Sequence, residues 1–168
     1  MSIKPGDKIP SVILKQLGNG GLQDQTTDSI FADRKIVMFG VPGAFTPTCS
    51  TKHLPGYVNQ KNAFKAEGID IACLAVNDPF VLNAWSKACN ADGVIMMADG
   101  NGTFTKALGL EMDGSGYGLG LRSQRFALYA ENGIVKAVSV ERPGMFDVSS
   151  AEAMLKTILG LKSAAAAA

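Results

Sequence analysis

Few of the 168 residues can do chemistry: three are cysteine, one is histidine and one is tryptophan. Each shortage excludes something. An odd number of cysteines without regular spacing does not describe a disulfide-stapled secreted domain. Cys49, Cys73, Cys89 and His53 lack any knuckle or ribbon spacing, so neither a metal site nor another cofactor is expected. No run of about 18 apolar residues is present to span a bilayer. Lys4, Asp7 and Lys8 interrupt the first ten residues, which therefore do not read as a signal peptide. Sixteen basic residues against fifteen acidic ones leave a net charge of +1. No basic block forms a footprint for nucleic acid or an anionic membrane. With 46% hydrophobic and 18% charged residues, the chain has the apolar surface for one core and too little charge for disorder. A single domain is expected over residues 1–163. The alanine tail, 164–168, either lengthens the last helix, frays or is foreign to the native chain. A small uncharged ligand fits this composition. So does a reducing compartment, either the cytoplasm or an organelle matrix entered with loss of a transit peptide.

The hydrophobic pattern has an α/β order. Residues 11–17 read as a strand closed by Gly18, Asn19, Gly20 and Gly21. Residues 35–41 are a firmer strand that stops at Pro42 and Gly43. Leu54, Val58, Ala63 and Phe64 give residues 50–67 a helical spacing, disturbed early by Pro55 and Gly56. Residues 69–76 form a continuous apolar run, typical of the centre of a parallel sheet. Asp78 and Pro79 open a helix to about residue 90, and 94–98 is another strand, so right-handed crossovers are expected. A short helix at 103–108 precedes a loop whose Gly114, Gly116, Gly118 and Gly120 fit neither a dinucleotide fingerprint nor a P-loop. Residues 125–131 and 134–140 read as a hairpin turned by Asn132-Gly133. Ser149 and Glu152 form a capping box for a last helix with Met154, Leu155, Ile158 and Leu161 on its apolar face.

Reactive chemistry concentrates in Pro42-Gly43-Ala44-Phe45-Thr46-Pro47-Thr48-Cys49-Ser50, between a buried strand and a helix start. Helix starts favour a thiolate over a thiol, and the two prolines stiffen the loop that holds it. Thr46 stands where a thioredoxin-type oxidoreductase has its first cysteine, which excludes C-x-x-C disulfide shuttling. Magnitude narrows the reaction further. Lowering a thiol pKa from about 8.5 to about 6 raises the thiolate fraction at pH 7 by ~30-fold, worth only about 2 kcal/mol. A fast thiol enzyme therefore needs donors aimed at charge that develops in the transition state. For attack on a peroxide, a Thr46 hydroxyl, the first helical amides and one guanidinium would bracket that charge. A cysteine hydrolase with His53 as base is an alternative, although no third residue to orient the imidazole is identifiable. A phosphatase is excluded because residue 55, six after Cys49, is Pro rather than Arg.

Together with His53-Leu54-Pro55-Gly56, Val76-Asn77-Asp78-Pro79-Phe80, Ala98-Asp99-Gly100, Leu108-Gly109-Leu110-Glu111 and Arg122-Ser123-Gln124-Arg125-Phe126-Ala127-Leu128, this block resembles the type II, Prx5-like peroxiredoxins. The resemblance implies a thioredoxin-like α/β fold with a central mixed sheet flanked by helices, an N-terminal extension and an insert. It also implies a thiol peroxidase acting on hydrogen peroxide and alkyl or other organic hydroperoxides through a cysteine sulfenic acid. Cys49 matches the peroxidatic cysteine. Pro42 shields the pocket, Thr46 binds sulfur and substrate oxygens, and Arg125, rather than Arg122, supplies the guanidinium. His53 falls where the family helps hold that arginine. Cys73 stands where plant-like members have a resolving cysteine, yet its strand is fully apolar, and a structural thiol fits equally. Cys89 reads as incidental. Glutaredoxin, thioredoxin or glutathione would be the reductant, and a homodimer is implied. A non-catalytic peroxide-sensing switch or holdase using the same oxidation is the alternative function.

Overall fold

The computed structural model describes residues 1–167. Seven strands form a mixed sheet in the order β2-β1-β5-β4-β3-β8-β9. They are β1 (Ile13–Gly18), β2 (Gly21–Thr26), β3 (Lys35–Val41), β4 (Ile69–Ala75), β5 (Val94–Ala98), β8 (Phe126–Glu131) and β9 (Ile134–Val140). A separate two-stranded ribbon joins β6 (Glu111–Asp113) to β7 (Leu121–Ser123). Strand β4 runs parallel to β3 and β5, whereas β8 is antiparallel to both β3 and β9. The continuous apolar sequence of β3 and β4 follows from that position, since a central parallel strand is covered on both faces.

Alternation along β3 sorts its side chains into two cores. Val37, Phe39 and Val41 face one layer, with Cys49, Tyr57, Cys73, Trp85 and Met154. Ile36 and Met38 face the other, with Phe31, Phe104, Leu108 and Phe126. The first layer lies under α2 (Leu54–Asn59), α3 (Lys61–Ala66), α4 (Pro79–Ala88) and α6 (Ala151–Ala167). The second takes α1 (Thr27–Phe31), α5 (Thr103–Leu108) and the N-terminal extension. Ile3 and Ile9 are buried there, and the extension is strapped down by Ile3 N donating to Leu108 O and Ile9 N to Gly133 O. Gly40 has a packing reason. It pairs with Phe126, and a Cβ on it would collide with that ring.

The local signals explain most elements and miss a few. The Asn132-Gly133 turn has φ of 47° and 77°, the left-handed pair that a tight hairpin needs. Asp78 caps α4 by accepting from Val81 N at 2.9 Å, ahead of Pro79. The last helix is capped one residue later than its sequence suggests. Ser150 Oγ accepts from Ala153 N at 3.1 Å, while Ser149 Oγ donates to Glu141. The helix extends through the alanines to Ala167. The segment read as one helix over 50–67 is a π-turn, Cys49–His53, then α2 and α3 broken at Gln60. In the π-turn Leu54 N donates to Cys49 O, and Pro55, which has no N–H to give, lies where the ladder returns to α spacing. Strand β2, α1 and the β6–β7 ribbon are additions to the sequence-based expectation.

Candidate active site

Cys49 sits in the helix that begins at Pro47, beyond the carboxyl end of β3. The connecting loop is tied down at several points. Ala44 N donates to Asn77 Oδ1 at 2.9 Å, joining the ends of β3 and β4. Thr46 Oγ1 donates to Gly43 O at 2.7 Å, and Arg122 Nη1 donates to Pro42 O at 3.2 Å. A Cβ on Gly43 would lie where Arg122 Nη1 sits, so a larger residue there would push that guanidinium aside. Phe45 has φ of 64° and is 57% exposed. A bulky non-glycine residue in the left-handed region costs about 1–2 kcal/mol, so the loop holds strain four residues before Cys49.

Arg125, immediately before β8, forks between two partners. Its Nη2 donates to Cys49 Sγ at 3.3 Å and its Nη1 contacts His53 Nδ1 at 2.9 Å. The second ring nitrogen, His53 Nε2, lies 3.0 Å from Ser149 O. A guanidinium only donates and a carbonyl only accepts, so the imidazole is neutral with its proton on Nε2. Burial, and then the Arg125 charge, push the His53 pKa down to about 3, against the weaker opposite pull of Ser149 O and Glu141. The ring packs on Phe39 at 4.8 Å and edge-on to Phe146 at 5.2 Å. Neither nitrogen bonds the sulfur. A Cys–His hydrolase loses its base on these grounds: both ring nitrogens are committed, and a ring neutral down to about pH 3 is a poor proton acceptor.

Arg122 and Arg125 are thus separated by task. One steadies the Pro42 loop, and the other reaches Cys49. Cys73 lies in β4 between Phe39 of β3 and Met96 of β5, fully buried on the layer that also holds Cys49. Burial first, then repulsion from Cys49, push the Cys73 thiol pKa well up. Cys89 is the C-cap of α4 and half-buried. Several contributors carry no sequence signal of their own. Tyr57 Oη donates to Ser149 O at 2.8 Å, Trp85 Nε1 donates to Ser50 Oγ at 3.0 Å, and Glu141 gathers the loop before α6. A cleft of about 590 Å³ opens beside Pro42, Thr48, Gln124 and Arg125, while the sulfur of Cys49 is itself buried. Among the described residues no cluster of His, Cys, Asp and Glu could hold a metal, and no helix is long and apolar enough to cross a membrane.

A buried thiol at a helix start, beside a guanidinium and on a thioredoxin-like sheet, defines a redox protein whose chemistry is done by sulfur. Residues 4–155 match the Redoxin family. Peroxiredoxin-2C of Oryza sativa is 49% identical over 156 residues, 91% of this chain and 96% of that protein. The chloroplastic Peroxiredoxin-2E of Arabidopsis thaliana is 47% identical, over 94% of this chain and 70% of its own. The reduced Prx3 of Vibrio vulnificus in complex with hydrogen peroxide superposes with a TM-score of 0.89 at 49% identity, over 92% of this chain and 98% of that one. The chain belongs to the peroxiredoxins, in their type II, Prx5-like branch. It is a thiol peroxidase that acts on peroxides and is regenerated by a thiol reductant.

Proposed function

We propose that Cys49 is the attacking thiol and that Arg125, Thr46 and Pro42 form the pocket in which it meets hydrogen peroxide or an organic hydroperoxide. The observation that carries this reading is the Arg125 fork, one arm on Cys49 Sγ and the other on His53. The sulfur attacks the terminal oxygen of ROOH, an S–O bond forms, the O–O bond breaks, and ROH leaves with the proton of the original thiol. The negative charge moves from sulfur to the leaving oxygen along a line that the guanidinium borders throughout. Thr46 spends its hydroxyl proton on Gly43 O, so its oxygen presents lone pairs and accepts from the peroxide O–H. Pro42 lines the cleft and limits water at the sulfur.

The sulfenic acid is then reduced by an external thiol from glutaredoxin, thioredoxin or glutathione. The first thiol displaces water to form a mixed disulfide, and a second releases Cys49. Support for an outside reductant comes from the position of Cys73, fully buried in a strand paired on both sides, so that a disulfide with it would require the Cys49 helix start and its loop to unwind. Residues 1–163 act as one domain, in a reducing compartment such as the cytoplasm or an organelle matrix. The protein works as a homodimer through loops beside the active site; Phe45, in the loop before Cys49, and Tyr117, between β6 and β7, are apolar side chains exposed at 57% and 86%. Peroxide consumption with glutaredoxin and thioredoxin systems tests the reading. Cys49→Ser is inactive, Cys89→Ser turns over like the parent, and full turnover by Cys49→Ser refutes the assignment.

A further inference from the structure

Glu141 follows β9 and is nearly buried, at 7% exposure. One of its oxygens, Oε2, accepts from Asp147 N at 2.6 Å, Ser149 N at 2.9 Å and Ser149 Oγ at 2.7 Å. Around it Arg142, Pro143, Gly144, Met145, Asp147 and Val148 are exposed; besides Glu141, the loop is held by Met145 N donating to Arg142 O, Ser150 N donating to Asp147 O and the Phe146 ring against His53. Ser149, fixed by two of those three bonds, turns its carbonyl to both His53 Nε2 and Tyr57 Oη. Glu141 N also donates to Arg125 O at 2.9 Å. Arg125 is therefore held at both ends by one residue: its backbone directly, and its guanidinium through Ser149 and His53.

We propose that Glu141 is a positioning residue for the peroxide reaction, fixing the Ser149 carbonyl, and through it the His53 ring and the Arg125 guanidinium at Cys49. The proposal rests on the reading of Cys49 as the attacking thiol. Burial raises the Glu141 carboxyl, and the hydrogen bonds it accepts from Asp147 N, Ser149 N and Ser149 Oγ outweigh that and hold it below the usual carboxylate range. A glutamine keeps one acceptor oxygen on the same stem, whereas alanine removes it.

The test uses the intact protein and the fact that His53 is the single histidine, so its ring ¹⁵N spectrum has no overlap. In the parent, Nε2 carries a proton protected from exchange. In Glu141→Ala that protection is lost. The ratio of the Cys49 rate with hydrogen peroxide to its rate with iodoacetamide, an alkylating agent that needs no aligned guanidinium, falls about 10- to 100-fold. Glu141→Gln restores the parent ring signal and brings the ratio back to within about threefold of the parent. A folded Glu141→Ala with the parent's ring spectrum and ratio overturns the proposal. Should that variant not fold, Glu141→Asp decides. Its shorter stem draws the Ser149 carbonyl away from the ring, and unchanged ring signals and ratio overturn the proposal equally. A parent that reacts with peroxide no faster than free cysteine sinks the role of Cys49 instead, while the ring spectrum still decides whether Glu141 sets His53.

Discussion

Acid should destabilise this protein in part through its single imidazole. His53 has a folded-state pKa of about 3 against an ordinary 6.5, chiefly because it is buried and secondly because Arg125 faces it. The unfolded chain takes up its proton near pH 6.5, whereas the folded state refuses it until about pH 3. Between those values the unfolded state binds more protons, so stability is full above about pH 6.5 and falls as the pH drops. Each unit is worth about 1.36 kcal/mol, which makes the loss roughly 2 kcal/mol at pH 5 and about twice that near pH 3. Urea unfolding followed by the fluorescence of buried Trp85 measures it, with His53→Gln as the control that cannot titrate there. Carboxylates contribute to both proteins, so the difference between the two profiles is the quantity read. From about pH 7.5 to about pH 5 the parent loses roughly 2 kcal/mol more than the variant. Parallel profiles would refute the neutral, doubly bonded ring and with it the geometry that holds Arg125.

Further outcomes follow from the same structure. Arg125→Lys keeps the charge but not the two separate donors. Loss of one charge-assisted hydrogen bond, about 1.5–3 kcal/mol, lowers the peroxide kcat/KM by about ten- to a hundredfold in stopped-flow Trp85 fluorescence. A rate within threefold of the parent, by the same rough scale, would leave the fork without a function. Cys73→Ser is expected to turn over with an external thiol reductant at the parent rate, and mass spectrometry of the oxidised parent should find no Cys49–Cys73 disulfide. Turnover lost with that serine would make Cys73 a resolving thiol after all. Gly40→Ala places a methyl in the Phe126 ring and should lower stability by about 1–3 kcal/mol, read as a lower urea midpoint. An unchanged midpoint would show that β3 and β8 give way there.

The sequence was most legible where one physical cause dominates. Strands β3, β4 and β5 are apolar because both faces are covered, and Asn132-Gly133 specifies its own turn. Strand β2 is harder: Gly-Leu-Gln-Asp-Gln-Thr lies at the sheet edge, mostly exposed, and has no buried face to impose alternation. The π-turn leaves no periodic trace, since a single widened turn shifts the ladder by one residue around Pro55. The loop that carries Cys49 is readable from its prolines and Thr46. The choice of Arg125 over Arg122 was not, because both are arginines three apart near one strand start, and only the resemblance separated them. Glu141 was invisible for a different reason. A lone glutamate after a strand looks like solvated surface, and its importance comes from three donors brought to it by a loop that ends eight residues later.

The central claim, that one guanidinium-held thiol carries the chemistry, is tested most directly by asking which sulfur is oxidised first. The reduced protein is mixed with one equivalent of hydrogen peroxide in the presence of dimedone, which traps sulfenic acids, and the adducts are mapped by mass spectrometry. The adduct is predicted on Cys49, with Cys73 and Cys89 recovered as thiols. A first adduct on Cys73 or Cys89, with Cys49 still reduced, would contradict the account.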